Sequence, residues 1–313
     1  MDAPRLLADI GGTHARFALS GPDGQPAAVR KLRAADYPGL VEAVRAYLGD
    51  RQVREAVFAV ATPVGTDRIK FTNSPWTFSI EATRKALGLE RLVVINDFTA
   101  QALAIPVLRE QDRAQICDGA AVPGEPIAVI GPGTGLGVAG LLRVDGAWHP
   151  IPSEGGHVSA ATHDDVEAAV IAVLRRRLGH VSNERLLAAP GLVNLANALA
   201  ELGGQRLELR NPNEVTARAQ AGDCPFCIEA LARFSSLLGA AAGDLALMFC
   251  ARGGVYIGGG LVKRLGPLFN VARYRAAFVA KGRFEAYLAA IPTFLVTRQD
   301  PGLLGAASLR LSP

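Results

Sequence analysis

One pattern occurs twice in this chain and restricts its folds more than any other: an apolar run, a turn of glycine and threonine, a second apolar run, and an Asp-Gly pair. The first copy runs Leu6-Leu7-Ala8-Asp9-Ile10, Gly11-Gly12-Thr13, Arg16-Phe17-Ala18-Leu19 and Asp23-Gly24. The second runs Ile127-Ala128-Val129-Ile130, Gly131-Pro132-Gly133-Thr134-Gly135, Leu136 to Leu142 and Asp145-Gly146. Each copy reads as strand, glycine turn, strand, hairpin turn. Glycine admits positive φ and lets a ligand approach the main chain where no Cβ stands in the way. Successive amides in such a turn form a concavity suited to anions, to which a threonine hydroxyl adds a donor. A single copy would be explained equally well as a tightened hairpin; two copies imply two related phosphate-facing half-sites.

With 313 residues the chain is long enough for two domains. Half of it is apolar and a fifth charged, the balance of a globular protein rather than a disordered one. The net charge of +4 is dispersed, and its one tight run, Arg175-Arg176-Arg177, lies beside Leu174 and Leu178 in a helical pattern, so it reads as a solvated helix face and not a nucleic-acid surface. No uninterrupted apolar run of about 18 residues occurs, and the first glycine turn follows Met1 too closely for a signal peptide, so no membrane partner and a cytoplasmic location are expected. Cys224-Pro225-Phe226-Cys227 lacks the second pair that a zinc site needs; reduced, free thiols are the expectation for all four cysteines.

Strand and helix signals alternate through the first hundred residues: a helix at Leu40 to Leu48, a strand at Ala56 to Val60, a strand at Leu92 to Ile95, and a helix from Phe98 to Ile105 that stops at Pro106. The second half is largely helical from Asp164 to Leu202 and from Cys224 to Cys250. It then gives a buried strand, Gly254 to Ile257, that enters Gly258-Gly259-Gly260 and a helix from Leu261. That glycine run offers close backbone approach and the positive end of a helix dipole. A last apolar helix, Leu303 to Leu311, is expected to pack back on the first domain. The domains are therefore placed at 1-110 plus 299-313 and at 111-298, with the boundary near residues 106 to 120. No P-loop motif is present. Gly135 to Gly140 spells the dinucleotide fingerprint, but it opens a strand where that motif should open a helix.

Asp9-Ile10-Gly11-Gly12-Thr13 resembles the first phosphate motif of the superfamily of sugar kinases, Hsp70 and actin, Gly131 to Gly137 resembles the second, and Gly254 to Gly260 the adenosine motif. Further stretches, Asn96-Asp97-Phe98, Glu154-Gly155-Gly156-His157, Glu184-Arg185-Leu186-Leu187, Pro190 to Asn194 and Asp300 to Ala306, are similar to bacterial glucokinases of the type without the zinc motif of ROK sugar kinases. The ordered set runs from Leu6 to about Leu309. The resemblance implies an α/β fold of two actin-like (ribonuclease H-like) ATPase domains around a central cleft. It implies ATP-dependent phosphorylation of D-glucose to glucose 6-phosphate, the entry to glycolysis, with Mg²⁺; a kinase of mannose or fructose is the alternative.

By the same resemblance, Ala8, Asp9, Ile10, Gly11, Gly12, Thr13, Gly133, Thr134, Gly135, Gly258, Gly259 and Gly260 contact ATP, and Asp9 reaches Mg²⁺ through water. Asn96, Asp97, Glu154, His157 and Glu184 contact glucose; as a set they both donate and accept, as neutral hydroxyls require. Asp97, at the end of an apolar strand, is the candidate base that orients the 6-hydroxyl and accepts its proton as the bond to phosphorus forms. Its position also suits a cap for the helix from Phe98. A homodimer is the default assembly. Two departures stand out: His14 where the family commonly has Asn, and Asn73-Ser74-Pro75-Trp76 where it commonly has Asn-His-Thr-Trp, which bears on the breadth of sugar specificity.

Overall fold

The computed structural model of the chain describes residues 4–71 and 76–311, so Asn73, Ser74 and Pro75 lie outside the described residues. The chain divides into two compact units, one of Met1–Arg109, Trp148–Pro152 and Arg298–Pro313, the other of Glu110–Ala147 and Ser153–Thr297.

The first unit is built on a five-stranded sheet. Strands β1 (Leu6–Ile10), β2 (His14–Ser20) and β3 (Pro26–Arg33) form an antiparallel meander. Strands β4 (Glu55–Val60) and β7 (Arg91–Asn96) continue from β1 in parallel, giving the order β3-β2-β1-β4-β7. β4 is apolar on both faces because both are covered, whereas β3, at the edge, exposes Arg30, Lys31 and Arg33. A small ribbon pairs β5 (Arg68–Lys70) with β6 (Thr77–Ser79). Helix α1 (Leu40–Leu48) lays Leu40, Ala43, Val44 and Tyr47 into the core on one face of the sheet and ends at Gly49, whose φ of 56° closes the last turn. Helix α2 (Ile80–Ala86) is capped by Ser79, which accepts from the Ala82 amide. Helix α3 (Asp97–Ala104) follows β7 without a loop.

The second unit repeats this plan. Strands β9 (Ile127–Pro132) and β10 (Leu136–Val144) form the hairpin, β12 (Val255–Ile257) and β13 (Thr293–Val296) extend it in parallel, and β8 (Arg113–Cys117) closes the far edge antiparallel. With β11 (Ala147–Ser153), whose middle is grouped with the first unit, the order is β11-β10-β9-β12-β13-β8. The helices are α4 (Asp165–Leu178), α5 (Asn183–Leu187), α6 (Ala189–Leu202), α7 (Pro212–Ala221), α8 (Pro225–Met248), α9 (Leu261–Leu265), α10 (Val271–Val279) and α11 (Glu285–Ala289). α8, at 24 residues, is long and apolar enough to cross a bilayer, but most of it is buried in the core of this unit. α8 meets α10 backbone to backbone: a Cβ at Gly239 would stand 2.0 Å from the Tyr274 carbonyl oxygen.

The last helix, α12 (Pro301–Ser308), belongs to the first unit and starts two residues earlier than the sequence suggests, because proline suits the first turn of a helix. Leu303 and Ala306 cover Leu7, Ala18 and Val57 on the sheet face opposite α1. Against α3 the approach is closer still, since a Cβ at Gly305 would lie 1.6 Å from the Ala100 carbonyl oxygen.

Candidate functional site

Both glycine turns take the hairpin form that the sequence suggests, but by different backbone means. Gly11, Gly12, Gly133 and Gly135 all have negative φ; the positive values fall on the Asp-Gly pairs, at Gly24 and at Asp145 and Gly146. The turn glycines are not required by a left-handed conformation; space is short only at Gly135, where a Cβ would stand 2.6 Å from Glu184 Oε2, while at Gly11 and Gly133 a Cβ would make ordinary contacts of 3.5 and 3.8 Å. In each turn the first glycine bonds inward: the Gly11 amide donates to the His14 carbonyl at 3.0 Å, and the Gly133 amide to the Gly135 carbonyl at 2.8 Å. Among the described residues, the next two amides of each turn, Gly12 and Thr13, Thr134 and Gly135, have no protein acceptor, and both threonines are exposed. Each turn thus leaves two amides and an exposed threonine hydroxyl as a donor set that would suit an anion.

In the first unit, parallel pairing sets Ile10, Val60 and Asn96 side by side, so the first turn and Asn96-Asp97 emerge at the same C-terminal edge of the sheet. This edge is where α/β sheets place ligands. The helix cap differs from the sequence expectation. α3 begins at Asp97, and Asn96 is its cap, with Oδ1 accepting from the Phe98 amide at 2.8 Å and the Thr99 amide at 3.2 Å. Asp97 Oδ1 also accepts from the Phe98 amide, at 2.9 Å.

Asp9 lies opposite Arg16 in the hairpin register, and its carboxylate is 3.7 Å from Arg16 Nη1. Burial pushes the Asp9 carboxyl above the usual carboxylate range, Arg16 pulls it down, and Asp300 pushes it up again. Arg16 and Asp300 were given no role by sequence reasoning; the usable signal was the hairpin register, which sets Arg16 across from Asp9. Desolvation, then the charges of Lys31, Arg16 and Arg33, hold the His14 imidazole below its ordinary value. Trp76, beside the undescribed Asn73 to Pro75, is a core residue whose indole donates to the Tyr37 carbonyl at 3.2 Å.

In the second unit Glu154, His157 and Glu184 converge. The His157 ring lies 3.9 Å from Glu154 Oε2 through Nε2 and 4.0 Å from Glu184 Oε1 through Nδ1. Those gaps exceed a hydrogen bond, so these contacts leave the polar atoms of the three side chains near one another without bonding them together. The turn that carries Glu154 and His157 sits tight on β10: a Cβ at Gly156 would be 2.0 Å from the Leu136 carbonyl oxygen. Glu184, in the first turn of α5, sends Oε2 to the Leu136 amide at 2.9 Å.

The third glycine run adjoins the second turn. The Gly258 amide donates to the Ile130 carbonyl at 2.8 Å, and Gly259, at φ 70°, lies where a Cβ would be 2.3 Å from the Pro132 carbonyl oxygen. The helix behind it, α9, has only 5 residues, so its dipole is slight and close approach is what the glycines supply. All four cysteines are unpaired, and among the described residues no cluster of three or more metal-ligating side chains occurs.

The glucokinase family model matches residues 6–312. A glucokinase of Aromatoleum aromaticum is 50% identical over 310 residues, covering 97% of this chain and 94% of that protein. The crystal structure of a glucokinase from an Antarctic psychrotroph superposes with a TM-score of 0.90 at 36% identity, covering 98% of each chain. A ROK family glucokinase from Streptomyces griseus, crystallised with glucose and AMPPNP, shares the fold at a TM-score of 0.62 and 20% identity, covering 97% of this chain and 98% of that one.

Proposed function

The chain belongs to the glucokinase family, with its α/β sugar-kinase and actin-like ATPase fold, and we propose that it transfers the γ-phosphoryl group of ATP to the 6-hydroxyl of D-glucose. The family match across both glycine turns and Asn96-Asp97 carries this reading.

The outward amides of Gly12, Thr13, Thr134 and Gly135 suit phosphate oxygens, and Ala8 to Ile10 and Gly258 to Gly260 complete the nucleotide contacts. Asn96, Asp97, Glu154, His157 and Glu184 bind the sugar. Phosphoryl transfer asks mainly for alignment and charge stabilisation. The 6-oxygen attacks phosphorus, the bond to the bridging oxygen of ADP breaks, and the hydroxyl proton passes to Asp97. Asn96, by capping α3, fixes the chain direction that presents Asp97.

Asp9, beside the first turn and sharing Arg16 with Asp300, would suit a magnesium carried by nucleotide phosphates and reached through water; among the described residues no cluster of three metal-ligating side chains offers a protein cage. Magnesium supplies charge neutralisation on the phosphates when bound. A homodimer and a cytoplasmic location complete the proposal; the unpaired cysteines suit a reducing compartment.

ADP release by the purified protein, measured across glucose, mannose and fructose, tests the reading. Glucose should give the highest kcat/KM. Preference for mannose or fructose would reassign the substrate, and inactivity on every hexose would overturn the reading.

A further inference from the structure

The carboxylate of Glu184 faces two ways. Oε1 is turned to His157 and the sugar cluster, while Oε2 accepts from the Leu136 amide at the exit of the second glycine turn. The entrance of that turn is held by the same stretch of chain, since the Ala189 amide at the start of α6 donates to the Gly133 carbonyl at 2.8 Å. Gly135 has no Cβ for a related reason: one would stand 2.6 Å from Glu184 Oε2. The turn is therefore clamped at Gly133 by main chain and at Leu136 by one side chain. Between the clamps stand the outward amides of Thr134 and Gly135.

We propose that Glu184 is a positioning residue for the phosphate turn as well as a sugar ligand, so that sugar held by one carboxylate oxygen steadies the amides positioned by the other. The inference rests on the glucokinase reading for the identity of both ligands. Its physical basis is the shared rotation of a single carboxylate. Among the described residues Oε1 comes no nearer a side-chain partner than the 4.0 Å approach to His157, too long for a hydrogen bond, so without sugar the Leu136 bond alone orients the carboxylate about its terminal torsion. A sugar hydroxyl on Oε1 fixes the plane, and the turn no longer loses that ordering entropy when the nucleotide arrives. Binding of the two substrates is then mutually favourable, and by linkage each tightens the other equally.

Titration calorimetry with AMPPNP, at zero glucose and at a glucose concentration saturating for each variant, separates this role from simple sugar binding. In the native sequence glucose should tighten AMPPNP about fivefold or more. Glu184→Ala should weaken AMPPNP about tenfold even without sugar, by removing a charge-assisted hydrogen bond to the turn, and should abolish the tightening. Glu184→Gln keeps a carbonyl acceptor for the Leu136 amide; it should hold AMPPNP within about twofold of the native value without sugar while glucose affinity falls. Glu184→Asp, one methylene short of Leu136, should behave as the Ala variant toward AMPPNP, and it keeps the test decisive should the Ala variant fail to fold. Native AMPPNP affinity in both Glu184→Ala and Glu184→Asp, or equal losses in the Gln and Ala variants, would overturn the proposal. Those outcomes in a protein whose native form phosphorylates glucose would leave the glucokinase reading intact, whereas absence of glucose-dependent ADP release would remove that reading itself.

Discussion

Arg16 donates from Nε to Oδ1 of Asp300 at 2.7 Å, tying the second strand of the first hairpin to the start of α12. Asp300 holds a left-handed backbone, φ 50° and ψ 51°, which Asp and Asn tolerate better than other side chains that carry a Cβ. Asp300→Ala should therefore lose both the ion pair and the backbone tolerance, about 1–2 kcal/mol by urea denaturation. Asp300→Asn should lose less than half as much. Equal losses would show that the backbone conformation contributes nothing.

Asp97→Asn removes the proton acceptor and keeps the shape. Turnover should fall by about 10² to 10⁴, with glucose affinity changed less than about tenfold. Near-native turnover would refute its role as base.

At Gly305 a methyl group would enter the Ala100 carbonyl, so Gly305→Ala should cost about 3 kcal/mol or more as α12 is forced from α3. At Gly302 a Cβ would meet the Asp9 carboxylate no closer than 3.4 Å, and Gly302→Ala should melt near the native temperature. Thermal melts of the two variants give the comparison; similar losses in both would contradict this account of the packing.

Asp164 caps α4, with Oδ1 accepting from the Glu167 amide at 2.8 Å and Oδ2 paired to Arg233 of α8. Burial pushes its carboxyl up, but the bonds from Glu167 and Arg233 outweigh it and hold it below the usual value. A depressed value adds stability above the ordinary carboxylate range and loses it as pH falls through the folded-state value. Asp164→Ala should thus cost about 1 kcal/mol at pH 7, little of it from the half-exposed ion pair, and the gap to the native protein should close as pH drops below about 4. A gap independent of pH would exclude a charged cap.

Of the four thiols only Cys250 is exposed. Burial, then the bond and charge of Cys224, push the Cys227 thiol up to about 12. Iodoacetamide at pH 8 should label one cysteine in the native protein and the other three only on unfolding, and native labelling of Cys227 would contradict this burial.

What the sequence made legible is what repeats or alternates locally. The two hairpins, α1 and the central strands show plainly because burial on both faces makes β4 and β9 continuous apolar runs. β3 stayed hidden because an exposed edge strand need not alternate, and Pro150 and Pro152 disguised β11. The cap of α3 was misplaced by one residue because Asn96 and Asp97 are chemically equal candidates there. Within the candidate site, the Glu184 contact with Leu136 spans 48 residues and leaves no local trace. The tie from Arg16 to Asp300 is longer still.

In the two glycine turns the amides of Gly12, Thr13, Thr134 and Gly135 have no protein acceptor among the described residues, and main-chain N–H groups are carried by every residue but proline whatever its side chain. The phosphate surface proposed for these turns would have few letters to lose: Thr13 or Thr134 could drift to another small residue and the amides would still point where the strand pairing sends them. What cannot drift is the count of residues between the paired strands. Inserting or deleting a single residue there would redirect the donors, so in this chain heritable information about the turn resides in its length more than in its spelling.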